Sequence, residues 1–338
     1  MCTTSSRKMN HSSMIRSKRS RIDRSARRIG LLVGLVGLMG TLGWPGLTRA
    51  QVGSGEDIPD FQVRQTREFE LSTGFEHRFE TDIDDGGEVQ ESRFPIRLGY
   101  NADLSPQWHL GLRLTYVYNR FDFSGTTGFG GLDPWENIHL FDIILPVTYR
   151  LSSTWRIVAA PMISIHAESG ADVSQGIKGG GFVAAVYQFS PRFSLGLVVR
   201  AQSQIEDDAD FFILPLVYWQ ISSQLSLTTQ DDPLRGGYGA ELTCRWGGGW
   251  RVGLGWGLQS NRFRLDDSGM APDGVGEASS TPLWASIAYV LDDRLTFEFY
   301  VGGVYGGELK LENENGDPIR EEDVDRATAL GLVLTGTF

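Results

Sequence analysis

The chain has 338 residues, 41% of them apolar, with 42 glycines, 9 Trp, 10 Tyr, 18 Phe and 2 cysteines. That composition excludes coiled-coil, collagen-like and wholly disordered chains, and two cysteines exclude a disulfide scaffold. The first fifty residues hold 10 Lys+Arg against one acid, so residues 51–338 hold 21 bases against 41 acids, a net charge of −20 that opposes nucleic-acid binding.

The N-terminal charge is concentrated from Arg7 to Arg28, and an uncharged apolar run from Ile29 to Leu47 follows, then Thr48-Arg49-Ala50. This order of basic, apolar and small residues reads as a secretory signal over residues 1–50, cleaved after Ala50. An uncleaved anchor is the alternative reading, which the glycines and Pro45 within the run disfavour. The basic stretch is long for a signal, so Met9 and Met14 are candidate start sites. Cys2 lies far upstream of the apolar run and is no lipoprotein cysteine, so Cys244 is expected to have no intramolecular partner in the mature chain. Residues 51–66 read as a short periplasmic segment.

From about Arg67 onward, apolar and polar side chains alternate in segments of 10 to 14 residues, the period of a strand with two different faces. Phe94/Ile96/Leu98/Tyr100 oppose Arg93/Arg97/Asn101. Leu110, Leu112, Leu114, Tyr116 and Tyr118 oppose His109, Gly111, Arg113, Thr115 and Asn119. The split recurs in Val252/Leu254/Trp256/Leu258 against Arg251/Gly253/Gly255/Gln259, and in Leu295/Phe297/Phe299/Val301 against Thr296/Glu298/Gly302. Segments near 177–189 and 210–221 are apolar on both faces. Phe211 to Gln230 is uncharged over the length of a membrane helix, but Pro215 and the polar Gln220–Gln224 centre favour strand, turn, strand.

Short and long connections take turns along the chain. The short ones are Ser105–Gln107, Ser152–Thr154, Ser190–Arg192, Ser222–Gln224, Gly247–Gly249 and Asp292–Arg294. Between them lie acidic or Gly-rich loops at about 80–91, 122–136, 167–176, 206–209, 231–235, 264–281 and 310–326. Six turns alternating with seven loops imply about fourteen strands with both chain ends on the short-turn side. The expected fold is all-β, an antiparallel up-and-down transmembrane barrel over residues 67–338. Bacterial outer-membrane barrels have this asymmetry, with short periplasmic turns and longer outer loops. The runner-up is a soluble sandwich or lipocalin-like barrel with its apolar face inward.

The last segment alternates Leu330, Leu332, Leu334, Gly336 and Phe338 and ends on the aromatic. It resembles the C-terminal signal of bacterial outer-membrane β-barrel proteins, with Gly336 departing from the aromatic often found there. The resemblance implies outer-membrane lipid and the barrel-assembly machinery as partners, the latter through Leu330, Leu332, Leu334 and Phe338. His139–Ile143 and Trp155–Val158 also resemble an uncharacterised barrel family carrying a domain of unknown function, which brings no substrate with it.

Charge facing lipid is costly, so the charged residues of the second face are expected to line a wet or mutually paired lumen. They are Glu68, Glu70, Glu76, Arg78, Arg93, Arg97, Arg113, Asp142, Arg150, Arg156, Arg200, Glu241, Arg245, Arg251 and Glu298. A solute-selecting pore lining and an Arg/Glu network that plugs and braces the wall both fit this mixture. His166-Ala167-Glu168-Ser169 groups an imidazole, a carboxylate and a hydroxyl, but no G-x-S-x-G motif accompanies any histidine, and an outer-membrane hydrolase ranks below both. Leu311–Asp317 with Glu322 has calcium-loop spacing, yet Leu311 stands at the first ligand position, so a solvated acidic loop is the better reading. The acidic clusters Asp82–Asp85 and Glu206–Asp210 leave weak divalent-ion bridging to anionic outer-leaflet groups as a side expectation. The reading is a non-enzymatic channel or transport protein without cofactor or metal. A closed structural or interaction barrel is its alternative.

Overall fold

The alternation of the sequence becomes a single antiparallel sheet in which each strand pairs with the next and the last pairs with the first. The computed structural model describes residues 68–338 apart from 233, 234, 236, 292 and 293, so the signal and the segment 51–66 lie outside the described residues. The strands are β1 (Glu68–Asp82), β2 (Glu88–Asp103), β3 (Trp108–Ser124), β4 (Asn137–Ile144 with Val147–Arg150), β5 (Trp155–Glu168), β6 (Ile177–Ser190) and β7 (Phe193–Gln204). The second half holds β8 (Asp207–Gln220), β9 (Leu225–Asp232), β10 (Gly237–Gly247), β11 (Trp250–Arg264), β12 (Val275–Leu291), β13 (Leu295–Glu312) and β14 (Pro318–Val324 with Ala327–Thr337). β4 and β14 are each interrupted once; both pieces of β4 pair with β3 and β5, and both pieces of β14 pair with β13, the second also with β1, so sixteen segments make fourteen staves.

Five of the six short turns fall where the sequence places them, and the sixth, Asp292–Arg294, includes residues 292 and 293, which lie outside the described residues. The long loops are shorter than expected, because strands run on past the apolar band: the stretch 310–326 is mostly β13 and β14 joined at Asn313–Asp317, and 80–91 is a turn between Asp82 and Glu88. In the Asn313 turn the side-chain Oδ1 accepts the Asn315 and Asp317 amides and Gly316 takes a φ of +77°, a conformation glycine adopts without strain. The loop is therefore a hairpin turn with its carboxamide turned inward. Glu322 is occupied by Arg320, and no group of three metal-ligating side chains occurs among the described residues.

Closure is what lipid demands, since an unpaired backbone group there costs several kcal/mol. The outer surface matches such a solvent. Leu71, Ile96, Leu98, Leu110, Ile157, Leu197, Leu254, Leu283, Phe299 and Leu332 all point outward and are exposed. Beside the short turns runs a belt of aromatic pairs on neighbouring strands: Phe69–Tyr100, Trp108–Tyr149, Trp155–Tyr187 and Trp250–Tyr289, with ring centroids 4.6–5.0 Å apart. Amphipathic rings at one level are the mark of a membrane interface.

Toward the long loops the pattern changes sides. On β3 the outward positions become Arg120 and Asp122, while the inward Phe121 and Phe123 are buried. Inward Phe263 and Leu265 near the end of β11 and Leu309 and Leu311 of β13 are buried likewise. A single helical turn, α1 (Gly128–Leu132), sets Phe129 among them, and the Trp135 ring meets Phe121, Phe123 and Phe263 nearly edge-on at 5.3–6.1 Å. The long-loop end is thus a water-facing barrel filled by its own apolar core.

The wall assignment predicts the cost of charge. Leu254→Arg and Phe297→Arg, at positions 61% and 49% exposed on the outer face, are expected to lose about 2–4 kcal/mol in refolding into bilayers under denaturant titration, while Thr296→Ser on the inner face stays close to wild type. Gly253 is the exception on the inner face, because a Cβ there would overlap the Glu241 carboxylate and the Ser286 hydroxyl. Gly253→Ser is therefore expected to destabilise the barrel in the same measurement.

Candidate lumen and its closures

The inner faces of β1, β2 and β13 carry a buried ion cluster. Arg78 meets Glu76 through Nε and Glu91 through Nη1, both at 2.8 Å, and donates to Gln259 Oε1 at 2.6 Å. Arg93 lies 3.4 Å from the same Glu76 carboxylate, whose other oxygen accepts the Tyr300 hydroxyl at 2.7 Å. Glu76 and Arg93 are 3% and 2% exposed. The cluster mixes signs at close range, which is how buried charge is tolerated: each guanidinium faces a carboxylate and the remaining lone pair takes a hydroxyl. The Tyr300 ring lies flat over Gly331 of β14, where any larger residue would displace it.

A second cluster forms around the turn between β9 and β10. Between those two strands Arg235 reaches into the lumen. Arg235 in the turn pairs with Glu298 of β13 and Glu241 of β10, and Asp232 pairs with Arg97 of β2 at 3.4 Å. Arg97 is itself held by Glu70 at 2.9 Å. The hairpin tip is therefore tied to two distant staves by side chains alone.

The ladder between β8 and β9 is short. β8 pairs with β7 over its full length, but with β9 only through Tyr218, Trp219 and Gln220. Above that rung side chains stand in for the ladder: Thr229 Oγ1 accepts the Val217 amide at 2.8 Å, and the Tyr238 hydroxyl donates to the Pro215 carbonyl. Toward the long-loop end the opposite walls meet instead. Arg264 bridges Ala167 of β5 in parallel register, Arg262 donates to the Ile205 carbonyl at 2.6 Å, and Lys178 donates to the Arg262 carbonyl at 3.1 Å.

The residues singled out from sequence thus fall into groups. Arg93 joins the first cluster, and Arg97, Glu241 and Glu298 the second. Asp142 of β4 accepts from His166 at 3.2 Å, and the other imidazole nitrogen meets Lys178 at 2.9 Å. Arg200 donates to Gln202 at 2.9 Å and Arg156 to Gln188 at 3.4 Å. Near the short turns Arg150 stands opposite Arg156 and Arg245 opposite Arg251, on the inner wall, with Arg113 also inward on β3. Glu91, Gln259, Tyr300, Lys178 and Arg235 complete these clusters. Tyr300 alternates with the lipid-facing Phe299 and Val301, a signal that the sequence reading passed over.

The imidazole, carboxylate and hydroxyl of 166–169 do not converge. His166 points inward and is buried, whereas Ser169 bonds His139 Nε2 at 2.8 Å, and His139 Nδ1 meets the Tyr116 hydroxyl at 2.8 Å. A phenol stands where a triad needs a carboxylate to hold the imidazolium.

No family model matches the chain, and no curated protein matches it. Solved structures similar to it include an outer-membrane channel from Pseudomonas putida F1, at 14% identity over 84% of this chain and 100% of that one, with a TM-score of 0.48. A Pseudomonas aeruginosa FadL homologue is 12% identical over 80% and 90%, at 0.43. The P. putida toluene transporter TodX is 10% identical over 81% and 90%, at 0.41. At these values the likeness lends the chain neither a solute nor a residue role, and the barrel stands on its own strand pairing.

Glu76 is the hub of the first cluster. Glu76→Ala removes the carboxylate shared by Arg78 and Arg93 and leaves Glu91 alone to face both, and the expected loss is about 3–5 kcal/mol in equilibrium unfolding. Tyr300→Phe, which removes one hydrogen bond and keeps the ring on Gly331, is expected to cost about 1–2 kcal/mol.

Proposed function

We propose that the protein is an outer-membrane transport channel, seen here with its lumen closed. The apolar belt, the aromatic level beside the short turns and the charged inner wall support the membrane assignment. One observation carries the channel reading: ion pairs reach across the lumen from the β9–β10 end, Arg235 to Glu298 of β13 and Asp232 to Arg97 of β2, while β9 meets β8 at three residues only. A barrel that served only as a rigid brace has no reason to give up ladder bonds along β8, each worth several kcal/mol in lipid. A hairpin tethered by side chains at one end is a movable stopper.

Purified mature protein in planar bilayers is expected to show rare openings, and Arg235→Ala, which cuts the tie to Glu298, is expected to raise the open fraction. Absence of conductance in both proteins would establish the closed structural barrel instead. For the assignment of sides, cysteines introduced at Asp84, Gly128, Asp273 or Asn315 in a Cys244→Ser background should react with an impermeant reagent on intact cells. Cysteines at Ser153 or Gly248 should not. Fractionation should recover the protein in the outer membrane, and recovery as a soluble periplasmic species would overturn the assignment.

A further inference from the structure

One face of β11 changes character along its length. Val252, Leu254, Trp256 and Leu258 share it, and the residues that follow on the same face are Ser260, Arg262 and Arg264. Both arginines are buried against other strands. Arg262 donates through Nε to the Ile205 carbonyl at 2.6 Å, Lys178 of β6 donates to the Arg262 carbonyl at 3.1 Å, and Arg264 pairs with Glu206 at 2.6 Å. The other face of β11 carries Phe263, and Leu265 follows it into the apolar core around Trp135. Near the long-loop end β11 therefore stands between an apolar core on one side and a polar contact on the other.

The polar contact continues down the inner wall. Lys178 also donates to His166 Nδ1 at 2.9 Å, and one strand pair away Gln202 donates to Ser164 Oγ at 3.0 Å and accepts from Arg200 at 2.9 Å. Ser164 is opposite Lys178 in register, and Gln202 and Arg200 follow on β7 toward the short turns. The two sides of β11 differ in what it takes to part them. Opening the core puts aromatic rings and leucines into water, with nothing gained in return. Parting the polar side exchanges hydrogen bonds and ion pairs for bonds to water, at a small net cost for each. We infer that the lumen opens to the long-loop side along the polar contact between β11 and the inner faces of β5–β7, as a path for small water-soluble solutes with Lys178 as its gate, while the apolar core is a permanent fill.

This deepens the transport reading and rests on it, and the test separates the two. In planar bilayers Lys178→Met in a Cys244→Ser background keeps the side chain's length and loses both of its bonds. It is expected to raise the open fraction about tenfold, the factor that one lost hydrogen bond of a charged group carries. The route is read with single cysteines placed in this protein and, independently, in the Arg235→Ala protein with Cys244→Ser. Ser164→Cys and Gln202→Cys are expected to react with a cationic methanethiosulfonate and to lose most of their current, whereas Phe121→Cys and Leu309→Cys, in the core, keep theirs. Block at the core positions, at all four positions or at none would overturn the polar exit, and an unchanged open fraction in Lys178→Met would overturn its gate; a conducting channel leaves transport standing in each case. If Lys178→Met and Arg235→Ala both run as heat-modifiable folded barrels and neither conducts, the transport reading falls and the exit falls with it.

Discussion

Every feature of this chain answers to one constraint: in hydrocarbon, a backbone amide or carbonyl must find its partner within the protein. That requirement closes fourteen staves into a ring, keeps the proline at 215 on an edge, and makes the interrupted β4 pair with β3 and β5 on both sides of its break. It also governs the short ladder between β8 and β9. Where the ladder stops, a threonine hydroxyl and a tyrosine hydroxyl take over, so the cost of the missing rungs is offset locally.

The charged clusters are the second layer built on that frame. Buried pairs return little net stability once desolvation is counted, yet removing one partner is costly. Their effect here is positional. Glu76 with Arg78 and Arg93 fixes β1 against β2 and β13, and Arg235 ties the end of β9 to β13. Both act through geometry that is lost if one charge goes, which is why a pair can lock a wall or release a stopper with the same chemistry.

Much of the architecture was legible in the sequence, because a two-residue period read in lipid has only one solution. Each short turn was marked by Ser, Pro, Gly or Asp before an aromatic or leucine, and each opens the strand it announced. The closures were not legible. Asp232 and Arg235 read as part of one more acidic loop, since nothing in a local pattern says that a turn points into the barrel rather than into water. The outer core was hidden for a different reason: Phe121 and Phe123 occupy the same face as Thr115 and Asn119, so a rule that makes this face polar along the whole strand fails when the solvent outside changes from lipid to water. The doubly apolar stretches at 177–189 and 210–221 were visible but unexplained. They are β6 and β8, whose inward apolar residues flank Arg200 and Gln202 of β7.

The change of sides on β3 also fixes how deep the barrel sits. Tyr118 and the residues below it tolerate hydrocarbon, whereas Arg120 and Asp122, one step further on the same outer face, do not. Sinking by two residues, roughly 7 Å of strand at about 3.4 Å per residue before tilt, would carry both charges into the acyl chains. Rising by as much would lift leucines into water and the aromatic belt off its interface. The wall therefore has a set hydrophobic height, and a bilayer of another thickness must stretch or thin around it, so the lipid next to the barrel is held at a spacing dictated by the protein.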